Sequence, residues 1–344
     1  MKKLVALLLA AALFIPTFAF AQEEVNVYNW EDYIDESVLD LFEQETGINV
    51  NYMRFTTNED MLVSVRANPG AYDVVFPSEY CVERLMSENL LAEINYDNIP
   101  NMQYTMPHLL NPSYDANNAH SVPYMWGTVG ILYNTTMVDD PVDSWGILWN
   151  PKYAGNVFML DSFRDSMGIT LKYLGHSMNT RDFIALEEAT QKLIEQKTSG
   201  MVKAYQIDET KDKMVAGEAA LAVVWSGDAQ YAIDLNPDLA YAIPNEGSNV
   251  WVDCMVIPAT AKNKENAEIF INFLSRPEIA QMNCDAIRYS SPNTGAIELM
   301  GEAYTSNTTI NPPEEKLAIC EYFNDVQAFV DIYTALWNEV KMAK

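Results

Sequence analysis

Five short stretches of the chain set an aromatic ring beside a polar or acidic side chain where a strand-like run ends. "YNWEDY" offers Trp30, Glu31 and Tyr33; "FPSEY" offers Ser78 and Tyr80; "VVWSGD" offers Trp225 and Asp228; "VWVD" offers Trp251 and Asp253; "IRYSSPN" offers Tyr289. Ring faces and carboxylates together suit an ammonium ligand. A primary amine with a pKa of about 10 stays charged at neutral pH. It gains roughly 0.5–2 kcal/mol over a ring face and makes short charge-assisted hydrogen bonds to carboxylates. A flexible aliphatic diamine also needs an apolar slot for its methylenes, which Trp and Tyr walls supply.

Asp253 poses the chemical question most sharply. It stands inside "SNVWVDCMVIPAT", which reads as a largely buried strand closed by Pro258, with no Lys or Arg for several residues on either side. A buried carboxylate must be paired, protonated or waiting for a cation. Other chemistry finds little to work with. His108, His120 and His176 are scattered, and the chain holds no H-E-x-x-H, G-x-S-x-G, P-loop or G-x-G-x-x-G. Acid pairs such as Glu31–Asp32 are plentiful and none stands out, so no catalytic residue, metal or cofactor is expected and the protein is not expected to be an enzyme.

The elements that must position these residues alternate along the chain. "VNVYNW" and "INVNYMRF" read as strands flanking the amphipathic helix "DESVLDLFEQETG", which Gly47 stops. "NEDMLVSVRANPG" reads as a helix, "AYDVVFPS" as a strand and "CVERLMSENLL" as a helix. This β-α-β rhythm implies a doubly wound α/β sheet, whose ligands lie beyond the carboxyl ends of the strands. The run "YMWGTVGILYN" is long enough to leave one domain for another. "NVFMLDSFRDSMGITLKYLG", the helix "TRDFIALEEATQKLIEQK" and the strand "AALAVVWSG" make a second α/β unit, and "VDCMVIPATAKNKENAEIFINFLSRPEIA" returns to the first. Two crossings predict a hinge with a cleft, with lobe 1 from 22–127 plus 254–300 and lobe 2 from 128–253 plus 301–344.

The first 21 residues, "MKKLVALLLAAALFIPTFAFA", read as a signal peptide: two lysines, an apolar run, and Ala19-Phe20-Ala21 at the cleavage site. A mature chain from about Gln22 is expected in the periplasm, soluble and without a lipid anchor, since no cysteine follows the cleavage site. The formal net charge is −27. Such a surface repels nucleic acid and anionic lipid and steers cations inward. Cys81, Cys254, Cys284 and Cys320 match no metal spacing. Cys81 and Cys254 lie in apolar runs that suit buried thiols, which leaves Cys284 with Cys320 as the expected disulfide.

The motifs "VYNWEDYI", "FEQETGINV", "YDVVFPSEY", "VPYMWGTVGI", "SWGILWNPKYAG", "VVWSGDA" and "YSSPN", with the long stretch from Trp251, run in order over nearly the whole mature chain. In this the chain resembles the spermidine/putrescine-binding proteins of polyamine ABC transporters. The resemblance implies the type II periplasmic-binding-protein fold, two lobes that close on a polyamine, and delivery to the transporter's permease subunits by a monomer. It also implies that Trp30, Tyr33, Ser78 and Tyr80 line the first strand ends, and that Trp225, Trp251 and Tyr289 form the walls. Asp253 would take one amine and Asp165, in "SFRDSMG", another.

Departures from the family bear on specificity. Glu31 stands where members commonly have Ser or Thr, and is either a solvated rim acid or a direct contact. Ser162 and Phe323 stand where a spermidine-preferring member has Asp and Gln, while Asp228 resembles the putrescine-preferring branch, which tilts the expectation to putrescine. Trp126 is expected to pack beside the hinge, and Arg164 to orient Asp165 or another carboxylate. Three rivals are weighed: a binder of another solute, which for an amino acid would call for an Arg facing the ligand carboxylate; an exported hydrolase with an acid pair; and a sensor presenting polyamine to a receptor.

Overall fold

The computed structural model describes residues 23–344, so the signal peptide expected at 1–21 lies outside the described residues. The chain opens with β1 (Glu24–Trp30), α1 (Glu36–Thr46), β2 (Asn49–Phe55), α2 (Asn58–Ala67), β3 (Val74–Val75) and α3 (Glu79–Ser87). After short 3₁₀ turns come β4 (Ser121–Asn134), β5 (Val157–Leu160), α4 (Phe163–Tyr173), α5 (Phe183–Thr198), β6 (Val202–Gln206), α6 (Glu209–Val215), β7 (Leu221–Trp225), α7 (Ser226–Leu235) and β8 (Leu239–Ala242). β9 (Val250–Val256), α8 (Lys264–Leu274), α9 (Pro277–Ile287), α10 (Thr294–Thr305), α11 (Glu314–Leu317) and α12 (Phe329–Met342) complete it.

Local chemistry sets the helix ends. Asp35 caps α1 by accepting from the Ser37 N–H, and Gly47 ends it at φ 74°, a left-handed conformation that costs a Cβ-free residue little. Thr57 caps α2 through the Asp60 N–H, and Ser162 caps α4 through the Asp165 N–H. These caps place the first turns of α2 and α4 where the polar residues of the site begin.

The strands run in the order β2-β1-β3-β9-β4-β7-β5-β6, with β8 also on β4. β1 pairs in parallel with β2 and β3, and β5 with β6 and β7, whereas β9 and β4 run antiparallel to their neighbours. β4 changes partners midway: Ser121–Thr128 pairs with β9, and Val129–Tyr133 with β7. Every residue of β9 is buried, as is nearly all of β4. A strand covered on both faces has no solvent side to show, which explains why both are largely apolar and makes Asp253, in the middle of β9, stand out.

The cysteine expectation is corrected here. All four cysteines are free. Cys284 is buried with its Sγ 3.8 Å from Met125 Sδ, while the Cys320 thiol donates to the Lys316 carbonyl at 3.2 Å. Each packs against its own surroundings, so Cys284 behaves as a small hydrophobe.

Candidate functional site

The ends of β1, β3 and β9 bring their side chains to one point. Beyond Trp30 the chain turns through Asp32, at φ 49°, and returns Tyr33 to the interior. There the Tyr33 hydroxyl donates to Asp253 Oδ2 at 2.7 Å, and the Ser78 hydroxyl donates to Oδ1 at 2.6 Å. Burial pushes the Asp253 carboxyl up to about 6, against the two hydroxyl donors, which favour the anion. Burial and the neighbouring Asp253 charge push the Tyr33 phenol far above its ordinary range, so it remains a donor. Among the described residues no Lys or Arg forms an ion pair with Asp253.

Aromatic walls stand around this carboxylate. Trp251 lies two residues before Asp253, on the same face of β9, and meets Tyr289 edge-on at 5.1 Å. Tyr289 is also edge-on to Tyr33, at 5.7 Å. The Trp251 indole N–H is buried without a partner. Two glycines permit the walls to stand so close: a Cβ on Gly227 would run into the Tyr289 ring, and one on Gly127 would come within 2.5 Å of Trp251 Cζ2.

A second carboxylate lies at the start of α4. Asp165 Oδ2 accepts from the Ser162 hydroxyl at 2.5 Å, and the Trp225 side chain stands near it. Burial pushes Asp165 up to about 6, opposed by Ser162 and by the charge of Arg164. The Arg164 guanidinium itself stacks 3.8 Å over the Tyr80 ring, with Nε 4.0 Å from Glu59 Oε1. Tyr80 and Ser78 are tied together by Asn58, whose side-chain amide donates to both hydroxyls at 2.9 Å.

Asp228, in the first turn of α7, pairs with Lys211 at 3.4 Å and lies near the Tyr289 hydroxyl. Burial raises its pKa and Lys211 opposes the rise. Tyr33, Ser78, Trp251, Asp253 and Tyr289 thus form one contiguous cluster with Asp228 near it, while Arg164 lies over Tyr80 and Trp225 stands near Asp165. Trp30 is turned away from hydrogen bonding at this point: its indole N–H donates to the Phe76 carbonyl at 2.8 Å and its ring packs on Phe55. Glu31 is exposed. Trp126 is buried and donates to the Ser291 carbonyl at 3.1 Å.

Several residues of this region escaped sequence reasoning. Asn58 looks like any helix-start residue, and Lys211 like any lysine in the polar run "DETKDK". Glu79 is a fully buried acid at the start of α3, accepting from the Val252 and Phe323 N–H groups at 3.1 Å, and burial pushes it up to about 8. Its position beside Ser78 in "FPSEY" was the available signal. Among the described residues no group of three or more His, Cys, Asp or Glu could hold a metal ion, and no helix is long and apolar enough to cross a membrane.

Doubly wound units sharing antiparallel crossing strands, with polar and aromatic side chains gathered at the strand ends, define a solute-binding protein. Residues 37–312 match the bacterial extracellular solute-binding protein family, and the chain belongs to it. Its architecture is the type II periplasmic-binding-protein fold. The chain is 34% identical, over 98% of its own length and 98% of the relative's, to the spermidine/putrescine-binding periplasmic protein of Escherichia coli K12. It is 31% identical, over 100% and 98%, to the putrescine-binding periplasmic protein SpuD of Pseudomonas aeruginosa. A solved structure of a putative spermidine/putrescine ABC transporter from Listeria monocytogenes superposes with a TM-score of 0.89 at 37% identity, covering 94% of this chain and all of that one.

Proposed function

We propose that this protein captures a polyamine, putrescine or spermidine, in the periplasm and delivers it to the permease of an ABC transporter, acting by binding without turnover. The observation that carries the reading is Asp253, a buried carboxylate held by two hydroxyl donors, faced by Trp251, Tyr33 and Tyr289, and given no cation among the described residues. An ammonium seated there gains a charge-assisted hydrogen bond and ring faces at once. Asp165 beside Trp225 offers a second such place, and Ser78, Tyr80 and Trp30 complete the lining, with Glu31 at the rim. The names of the relatives support the ligand class and the transporter setting.

The lobes of this reading are 22–127 plus 254–300 and 128–253 plus 301–344. The change of partners along β4 at Thr128–Val129 supports a hinge there. Contacts between lobes favour the closed form, and the Arg164 stack on Tyr80 is one of them. Micromolar affinity needs about −8 kcal/mol, within reach of a few charge-assisted and cation–π contacts after ordering costs.

Isothermal titration of ligand-stripped protein with putrescine, spermidine and a neutral diol of putrescine's length tests the reading. Saturable one-to-one binding of an amine and none of the diol is expected. Absence of heat with both amines at millimolar concentration would overturn it.

A further inference from the structure

Three carboxylates stand among the aromatic residues of the site, and the protein treats one of them differently. Asp253 and Asp165 are held by hydroxyl groups and, among the described residues, form no ion pair. Arg164, next in sequence to Asp165, turns its guanidinium to Tyr80 and Glu59 instead. Asp228 alone of the three has a lysine ammonium on it, Lys211 Nζ at 3.4 Å from Oδ1.

This pair is built rather than incidental. Lys211 sits in the first turn of α6 and Asp228 in the first turn of α7. The ammonium lies 5.5 Å from the ring centroid of Tyr231, which follows Asp228 by three residues and so shares its face of α7. The pair is shielded, with side-chain exposures of 26% for Lys211 and 15% for Asp228, so it is screened less than a surface pair. The acids nearest Lys211 on its own helix end, Asp208 and Asp212, are exposed. Asp228 also lies near the Tyr289 hydroxyl, and the Tyr289 ring in turn packs edge-on against Trp251 and Tyr33 around Asp253.

We propose that Lys211 is a specificity-determining residue: its ammonium serves as a built-in counter-cation for Asp228, leaving Asp253 and Asp165 as the two carboxylates open to ligand nitrogens, so that the site favours a diamine over a triamine. The inference rests on the polyamine reading of the same site and assigns Asp228 the opposite part from a direct ligand contact. A third ammonium brought near Asp228 meets a carboxylate already neutralised, with a like charge behind it. A diamine has no nitrogen left over to pay that penalty.

The test is calorimetry of putrescine and spermidine binding to the wild-type protein, Lys211→Met, Lys211→Arg and Lys211→Met/Asp228→Asn, with thermal melts confirming that each variant is folded. Met keeps the aliphatic stem along Tyr231 and removes the charge. Lys211→Met is expected to raise the spermidine-to-putrescine affinity ratio about tenfold, as one uncompensated carboxylate gains a ligand ammonium. Lys211→Arg, which keeps the charge, is expected to hold the wild-type ratio. Adding Asp228→Asn to Lys211→Met is expected to abolish the gain.

An unchanged ratio in Lys211→Met, or equal tightening of both amines, overturns the proposal, because Lys211 then contributes no selectivity. A gain that survives Asp228→Asn also overturns it. Should Lys211→Met prove unfolded, the Arg variant alone with Asp228→Asn decides: a wild-type ratio in Asp228→Asn refutes the pairing, and a ratio shifted further to putrescine supports it. A wild-type protein that binds neither amine is a different failure, that of the polyamine reading itself.

Discussion

The Tyr33 hydroxyl reaches across 220 residues of chain to donate to Asp253 at 2.7 Å. With the Ser78 hydroxyl on the other oxygen, it holds a buried anion that has no cation paired with it among the described residues. Hydroxyl donors orient the carboxylate without neutralising it, so its charge remains available to an ammonium.

On the polyamine reading, removing that charge removes the principal electrostatic anchor. Asp253→Ala is expected to weaken polyamine binding by about tenfold or more, and Tyr33→Phe by a smaller factor of about three to ten, because it deletes one donor and keeps the ring. Titration calorimetry reads both; wild-type affinity in Asp253→Ala would take the residue out of the site.

Asp253 and Asp165 are each pushed up to about 6 by burial. Amine binding needs both ionised, so affinity is expected to be constant above neutrality and to fall as the pH drops through about 6. Stability of the free protein runs the other way. A folded-state pKa above the unfolded value of about 3.9 means that these groups favour folding fully below that value, and that the contribution is lost as the pH rises through the folded pKa. The ligand-induced rise in melting temperature should therefore be larger at pH 8 than at pH 5. Equal rises at both values would contradict this.

Gly227 is the point where α7 lets Tyr289 lie against the backbone, since an added Cβ would strike the Tyr289 ring. Gly227→Ala should displace that ring from Trp251 and Tyr33 and weaken binding by about tenfold. Gly217→Ala, where no atom stands within 4 Å of the new Cβ, is the control for substituting a glycine remote from Tyr289. Its own φ of 72° will cost stability, and its affinity should stay near wild type. Unaltered affinity in Gly227→Ala would show that Tyr289 can move without cost.

Asp73 tests the scaffold. Fully buried, it accepts from the Asn26 N–H at 2.9 Å, the Asn26 amide at 2.8 Å, the Lys262 and Asn263 N–H groups at 3.0 and 2.9 Å, and the Asn263 amide at 3.0 Å. Burial raises its pKa, and these donors outweigh burial and hold it below the usual range. Its stabilisation is present above the unfolded pKa and lost as the pH falls through the folded one. Asp73→Ala should cost about 2–4 kcal/mol in denaturant unfolding. A cost under about 0.5 kcal/mol would mean that water replaces the carboxylate.

Free thiols give a direct chemical check. Alkylation of the unfolded, unreduced protein should modify all four cysteines, and a reductant should leave the melting temperature unchanged. A mass two alkyl groups short, with peptide mapping that leaves Cys284 and Cys320 unmodified, would restore a Cys284–Cys320 bond.

The sequence by itself determined the elements and nominated the carboxylates and rings of the candidate site. Gly47 and Asp35 bound α1, the stretch around Asp253 read as a largely buried strand, and Asp253 announced itself as an acid where none belongs, because local rules of capping, periodicity and burial act within a few residues. The family motifs supplied Asp165, which composition alone would not have separated from dozens of other acids.

Only the tertiary structure decided which side chains meet. That Tyr33 and Ser78 share Asp253, that Arg164 lies on Tyr80 rather than on Asp165, that Lys211 covers Asp228, and that Cys284 stays apart from Cys320 are relations between segments far apart in sequence. Pairing of this kind depends on strand order and on cross-strand register, which leave no trace in the local pattern. An electrostatic interaction falls off over a few ångströms of space, whatever its separation along the chain, so the charge state of each acid is a property of the fold.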